Sequence, residues 1–308
     1  MPRLYFLPTR LLSTAPRLAR VVQRIEGALF AALFRLFETL PLGLASHVAE
    51  RVFATWGPRT GKQRERALRN LDIAFPELPP SERARLVKDI FGNLGRSIAE
   101  LAHVEYIWKR RAKHLEFIAD PSIRALRDKN TPAVIVTAHI GPWQLASFLA
   151  SEYDLPLTII YAPESNARIR ERIRRYREAL PVKLLPRDSS MRHLLRELAK
   201  GHLVGIAADT RLDSGPLLPF FGVNTPSNTA AARLALGRNC ELIPVRAERL
   251  SRTRFRISLL APVKPRIEGT TSAQAIDMTE QLLGLFEGWI RDSPSEWLCF
   301  ARRWPRDS

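Results

Sequence analysis

The chain is short of cysteine, of acidic residues and of long uncharged apolar runs. Its 2 cysteines, Cys240 and Cys299, form no C-x-x-C pair. That excludes a disulfide framework and a cysteine metal site, and fits a reducing compartment. Both read as small buried hydrophobes rather than nucleophiles. Against 48 Lys+Arg stand only 31 Asp+Glu, giving a net charge of +17 and a sequence pI of about 10.8. Such an excess implies a polyanionic partner: nucleic acid, anionic lipid or an acidic protein. Zinc-finger spacing and RNA-binding aromatic signatures are lacking, and the arginines are spread along the chain. A nucleic-acid partner therefore rests on charge alone and is not expected. No uncharged run reaches the ~18–20 residues that a bilayer-spanning helix needs. The first residues show no small-residue cleavage site behind a clean apolar stretch, so no removed signal peptide is expected. Internal repeats and low-complexity linkers are lacking too.

What is present is a large apolar fraction, 45% of 308 residues. That suffices for one α/β domain with a helical extension, or for two domains. Residues 1–56 are apolar but interrupted: Phe6, Leu7, Leu11 and Leu12 lie beside Arg3 and Arg10, and Leu29, Phe30, Leu33, Phe34 and Phe37 follow. The latter group makes one apolar helix face with charge opposite. It suits a helix lying in the membrane interface or one packing on a core, and periodicity does not separate the two. Residues 57–118 read as helical. Within them Ser81, after Pro79-Pro80, is the expected cap of a helix carrying Leu86, Ile90, Leu94, Ile98 and Leu101.

From 119 to 308 strands alternate with helices. Strands are expected at 133–138, 157–161, 182–185, 203–208, 241–247 and 254–260. Helices are expected at 122–129, 143–151, 165–179, 189–200, 228–237 and 272–291. This is an α/β pattern, a mixed and mostly parallel sheet flanked by helices, with the apolar N-terminal region beside it.

The stretch Pro132-Ala-Val-Ile-Val-Thr-Ala-His139-Ile-Gly-Pro142-Trp-Gln144 organises the rest. It reads as a buried strand, a break at Gly141 and a helix opened by Pro142. His139 then sits at the carboxyl end of a strand, where open α/β sheets gather their chemistry. A histidine there is either a satisfied cap or a general base, its ordinary pKa lying near neutrality. Across a strand–turn–helix, Gln144 can turn into the same cleft. Asp209 ends another strand, followed by Arg211 and the loop Gly215-Pro-Leu-Leu-Pro-Phe220-Phe221-Gly222. The paired phenylalanines line an apolar groove or plug the core under a loop. The helix at 165–179 carries Arg168, Arg170, Arg172, Arg174, Arg175 and Arg177, more cation than Glu171 and Glu178 neutralise by i,i+4 pairing. It is a solvated face or a site for phosphate or an acidic protein. The tail, Trp297-Leu-Cys-Phe-Ala-Arg302-Arg303-Trp304-Pro305, suits a membrane–water boundary, phosphate binding, or simple docking by its aromatics.

The chain resembles the bacterial lipid A biosynthesis acyltransferases, the late lauroyl/myristoyl transferases of the lysophospholipid acyltransferase-like superfamily. The resemblance covers nearly the whole chain. It rests on Asn70-Leu71 with Phe75-Pro76, His139 with Trp143, Tyr161 and Pro163, Asn166 with Arg177, Asp209, Pro219-Phe220-Phe221-Gly222, Pro244, and Trp297 with Arg302-Arg303-Trp304. It implies a membrane-associated N-terminal region, an α/β acyltransferase domain and an H-x-x-x-x-D/E dyad. The dyad would pass an acyl chain from acyl carrier protein or acyl-CoA to a hydroxyl of a lipid A precursor. By that resemblance His139 is the base, with Gln144 in the dyad's acid position, Arg177 steadying an oxyanion or phosphate, and Asp209 positioning the site. Trp143, Asn166, Arg211, Phe220, Phe221, Gly222, Arg302 and Arg303 would bind substrate. No metal or cofactor is implied. The location would be the cytoplasmic face of the bacterial inner membrane, on an anionic surface. Gln144 replaces the family's acid, Ala162 its Tyr-Arg-Pro arginine and Thr210 its Asp-Gln glutamine. The rival reading is a non-catalytic relative that binds lipid or acyl carrier protein.

Overall fold

The computed structural model describes residues 16–59, 61–128, 130–164, 166–186 and 190–305. The apolar stretch expected at 4–12 lies outside them. The helical part comprises α1 (Pro16–Thr39), α2 (Leu42–Trp56), α3 (Gly61–Ala74), α4 (Pro80–Ala102), α5 (Val104–Lys109) and α6 (Arg111–His114). Helix α4 begins with Pro79 as its cap and no side-chain cap bond. Proline at the first helical position starts the helix by its fixed φ, so Ser81, expected as the cap, falls inside the helix. Phe37 of α1, Ala45 and Ala49 of α2 and Ala99 of α4 bury one another, which joins the N-terminal helices to the rest.

The α/β part runs β1 (Leu115–Ala119), β2 (Ala133–Thr137), a 3₁₀ segment (Trp143–Phe148), α7 (Leu149–Glu152), β3 (Leu157–Tyr161), α8 (Ala167–Glu178), β4 (Lys183–Pro186), α9 (Ser190–Ala199), β5 (Leu203–Ala207), β6 (Leu217–Phe220), β7 (Val223–Pro226), α10 (Ala230–Gly237), β8 (Glu241–Arg249), β9 (Phe255–Leu259) and α11 (Thr271–Asp292). A 7-stranded sheet has the order β1-β9-β8-β2-β5-β3-β4. From β8 to β4 all neighbours are parallel, while β9 runs antiparallel to β8 and β1 parallel to β9. The sheet is therefore mixed and mostly parallel, as the alternation of elements predicts.

Strand β2 lies inside the sheet and buries both faces. Val134 and Val136 join the cluster with Leu71, Phe91, Leu194 and Phe286, while Ala133 and Ile135 join Ile107, Phe148, Leu149 and Ile243. The period of two sends alternate side chains to opposite layers, which is why this strand reads as a continuous apolar run.

The structure departs from the sequence reading in places. No helix forms at 122–128; Asp120 accepts from the Ser122 amide and hydroxyl, a local side-chain bond that competes with helix formation. Glu241 accepts the amides of Arg124 and Ala125 and fixes the turn. Strand β1, at the sheet edge, begins inside the stretch read as helical. The loop around Phe220 is instead the antiparallel hairpin β6–β7.

Candidate active site

Strands β2 and β5 pair in parallel from Ala133↔Leu203 to Thr137↔Ala207. The same register, carried two residues beyond the carboxyl ends, sets His139 opposite Asp209. Asp209 takes hold of His139 with both carboxylate oxygens: Oδ2 accepts the His139 main-chain N–H at 3.0 Å and Oδ1 lies 2.7 Å from Nδ1. An ionised carboxylate only accepts, so Nδ1 carries the hydrogen and Nε2 keeps a lone pair. The Asp209 side chain is 7% exposed and that of His139 33%. Burial by itself pulls the imidazolium's pKa down, but the charge and hydrogen bond of Asp209 outweigh it and the net displacement is upward from 6.5. Burial likewise raises the Asp209 carboxyl, and the His139 charge with its hydrogen bonds turns the balance downward.

The loop after β2 is tightly constrained. Gly141 has φ +60, and a Cβ on it would stand 2.8 Å from the Ala247 carbonyl oxygen, so neither the conformation nor the space admits a side chain. Its N–H donates to the Glu296 carbonyl at 3.0 Å, and the Leu298 N–H donates to the His139 carbonyl at 2.9 Å. Trp143 brings its ring to 5.6 Å from the imidazole, tilted by 57°.

Gln144 is not part of this pair. The place at Nδ1 expected for it is taken by Asp209. The Gln144 side chain is half-buried and borders a cavity of about 10 Å³, lined also by Ser97, Glu100 and Trp143. Its Oε1 has no protein hydrogen-bond partner. Five residues along a strand–turn–3₁₀ path carry it past the histidine toward α4.

The family model for the bacterial lipid A biosynthesis acyltransferase matches residues 16–306. The chain belongs to this family. Two relatives, a lipid A biosynthesis palmitoleoyltransferase from Escherichia coli K12 and a lipid A biosynthesis acyltransferase from Shigella flexneri, are each 22% identical over 278 residues, covering 87% of both chains. Among solved structures, the 1-acyl-sn-glycerophosphate acyltransferase PlsC from Thermotoga maritima covers 80% of this chain and 96% of its own. Its TM-score is 0.37 and its identity 13%. The family assigns this lipid A acyltransferase relative to acyl transfer in lipid A biosynthesis.

The other residues singled out from the sequence fall into distinct places. Arg177 lies at the same sheet edge, bonded to Glu164 at 2.9 Å, with its guanidinium 5.4 Å from the Tyr161 ring centroid. Asn166 is buried and caps α8: its Oδ1 accepts from the amides of Arg168 and Ile169, and its amide donates to the Gln23 carbonyl. That is a structural task and leaves no free donor aimed at a substrate. Arg211 pairs with Asp213 and its main chain bridges to Ser227, while Nη1 is buried without a partner. Arg302 is exposed.

Arg303 is buried and donates to Thr225 Oγ1, the Pro226 carbonyl and Ser227 Oγ, so it locks β7 to the tail. Burial lowers its pKa to about 10, and Asp209 partly offsets that.

Phe220 and Phe221 are 0% and 8% exposed and pack with Trp297, Trp304 and Phe75. They plug the core rather than border an open groove. Phe221 and Gly222 have φ +52 and +72, the two positive values of a tight hairpin turn.

The charge of α8 is also more fully balanced than its own sequence suggests. Besides Glu171 and Glu178, Glu38 of α1 meets Arg172 at 3.6 Å and Glu164 meets Arg177. Among the described residues no cluster of three or more His, Cys, Asp or Glu is placed to hold a metal. The Asp209 partnership escaped the sequence reading because it depends on a strand register. The repeated signal, a polar residue just after each of two neighbouring apolar strands, could have found it.

Proposed function

We propose that the chain transfers a fatty acyl group from acyl carrier protein, or acyl-CoA, to a hydroxyl of a lipid A precursor, with His139 as general base and Asp209 as its partner. The observation that carries this reading is the double hold of Asp209 on His139, which leaves Nε2 as the ring nitrogen able to accept, on a side chain 33% exposed. Nε2 takes the hydroxyl proton as the oxygen attacks the thioester carbonyl. The new C–O bond forms, the C–S bond breaks, and the departing thiolate takes the proton back from the imidazolium. Asp209 holds the tautomer and balances the imidazolium charge. Arg177, at the same edge, serves the oxyanion or a substrate phosphate.

The site would work at the cytoplasmic face of the inner membrane. Val21, Ile25, Leu29 and Leu36 of α1 are 49%, 54%, 57% and 48% exposed, on one helix side, and Leu44 and Trp56 of α2 are exposed at 47% and 67%. Arg59 stands over the Trp56 ring at 5.1 Å, a pairing suited to a headgroup layer. No described helix is long and apolar enough to cross a membrane.

The test is single-turnover transfer of acyl chain to a lipid A precursor, with His139→Ala as the blank. Transfer above the blank supports catalysis. Transfer equal to the blank, with lipid or carrier protein still bound, favours the non-catalytic reading.

A further inference from the structure

His139 is fixed from the β5 side by Asp209. On the opposite side of β2 lies β8, and its last residue is Arg249. The β2–β8 register runs from Ala133↔Glu241 to Val136↔Pro244, and beyond it a Cβ at Gly141 would lie 2.8 Å from the Ala247 carbonyl oxygen of β8 and 3.7 Å from Glu296 Oε2. Arg249 is 3% exposed at its side chain, an unusual depth for a cation. Its guanidinium spends every arm. Nε meets Glu100 Oε1 at 2.6 Å, and Nη2 meets Glu100 Oε2 at 2.8 Å and Ser97 Oγ at 2.7 Å. Nη1 goes to Glu296 Oε2. The fork on Glu100 has the bidentate geometry that arginine offers and lysine does not.

Glu296 belongs to the segment that touches the His139 loop. Its main-chain carbonyl accepts from Gly141, the next residue, Trp297, bridges to Ile140, and Leu298 donates to the His139 carbonyl. Helix α4 grips the same segment again, through Asn93 Nδ2 to the Ser295 carbonyl at 2.9 Å. Gln144 borders the same cavity of about 10 Å³ as Ser97 and Glu100, two of the Arg249 partners. None of these groups touches His139 Nε2.

We propose that Arg249, with Glu100 and Glu296, is a positioning residue for the base: it sets segment 295–298, which in turn holds the His139 loop against Asp209. The proposal rests on the reading of His139 as the base. Arg96 also acts on this cluster, and Glu50 acts on Arg96. Removing one member leaves a buried charge uncompensated, which strongly disturbs local geometry.

The experiment reads His139 directly. Full-length protein in detergent is treated with diethyl pyrocarbonate across pH. Modification of the His139 peptide is followed by mass spectrometry, and its midpoint reports the imidazole's titration. Arg249→Lys keeps the charge and loses the fork; Glu296→Gln keeps the shape and loses the charge. Arg256→Met, which removes a half-buried partner of Glu116 across the pair of β1 and β9 at the sheet edge, is the control. In folded Arg249→Lys and Glu296→Gln the midpoint falls by roughly 0.5–1 pH unit as the grip of Asp209 loosens, and it does not move in Arg256→Met. The same two variants lose about tenfold in kcat with KM little changed, the signature of a misplaced catalytic group. Midpoints and kcat that both match the parent in folded variants overturn the proposal. A shifted midpoint in a protein that never transfers acyl chains sustains the positioning role and sinks the acyl-transfer reading instead.

Discussion

Arg177 and Glu164 hold each other with side chains only 13% and 9% exposed, and each keeps one buried polar atom, Arg177 Nη1 and Glu164 Oε2, without a partner. The pair therefore stands ready for one more hydrogen-bonding group at the carboxyl edge of the sheet. Arg177→Ala strands a carboxylate and is expected to cost about 2 kcal/mol in a denaturant midpoint measurement. The double variant Arg177→Ala/Glu164→Ala regains most of that stability but not acyl transfer. Recovery of both together would make Arg177 a structural residue only. Arg170, whose Nε bonds only to the Glu164 carbonyl, should lose little activity when changed to Ala.

Asp209→Asn is expected to lower acyl transfer by ~10²–10⁴-fold, because an amide can present its N–H to Nδ1 and move the imidazole hydrogen onto Nε2. The pH profile gives an independent check. A base works when neutral, and Asp209 raises the pKa of His139 above 6.5. In the parent, kcat/KM therefore climbs with pH through a midpoint above the ordinary histidine value. In Asp209→Asn burial acts alone and lowers the pKa, so the residual rate climbs at lower pH. An unmoved midpoint would take Asp209 out of the account.

Gln144→Glu would restore the acid position of the family motif. Here Nδ1 is already occupied, and the new carboxylate would enter the small cavity beside Glu100. The expected single-turnover rate stays within about tenfold of the parent. A gain of 10²-fold or more would mean that the residue at 144, not Asp209, governs the base.

Gly222→Ala and Gly141→Ala separate two costs of a left-handed glycine. Nothing lies within 4 Å of a Cβ at Gly222, so only the conformational penalty of about 1–2 kcal/mol applies. At Gly141 the same penalty is joined by a clash with Ala247. Thermal unfolding should rank the second variant clearly below the first, and only the second should also lose activity.

Ile25→Asp and Leu29→Asp place charge on the exposed stripe of α1 without touching the contact of Phe34 with Tyr176 on its inner side. Both proteins should stay folded and lose binding to anionic phospholipid vesicles by roughly tenfold or more. Unchanged vesicle binding would send the membrane contact elsewhere.

Most strands and the longer helices of the α/β part were legible because apolar runs and amphipathic stretches alternate with breaks near Gly141, Gly201 and Gly237, whereas the helix expected at 122–129 does not form at 122–128 and that expected at 143–151 is 3₁₀ over Trp143–Phe148. Strand β1 was not, because it is a half-exposed edge strand whose short apolar run is interrupted by Glu116. The hairpin was hidden by Phe221, a bulky residue at a position usually given to Asn or Asp, kept there by its aromatic packing. His139 was legible from its place after a buried strand. Its partner was not, because Asp209 lies 70 positions away and meets it only through a register. Gln144 attracted attention by spacing, yet a turn between the two residues sends their side chains different ways. Arg249 gave no local signal at all. Its importance comes from Glu100 and Glu296, which only folding brings near.

Strand β2, the carrier of His139, has both of its neighbours, β5 and β8, later in the chain. During synthesis its apolar edges stay open until those segments emerge, and an unpaired apolar strand is a template for sticking to other chains. Chains stopped before Glu241 should therefore aggregate or be held by chaperones, because the β8 edge of β2 is still uncovered. The pair of His139 and Asp209 is in this sense a mark of assembly: it comes into being only when a later-made strand has closed on an earlier one.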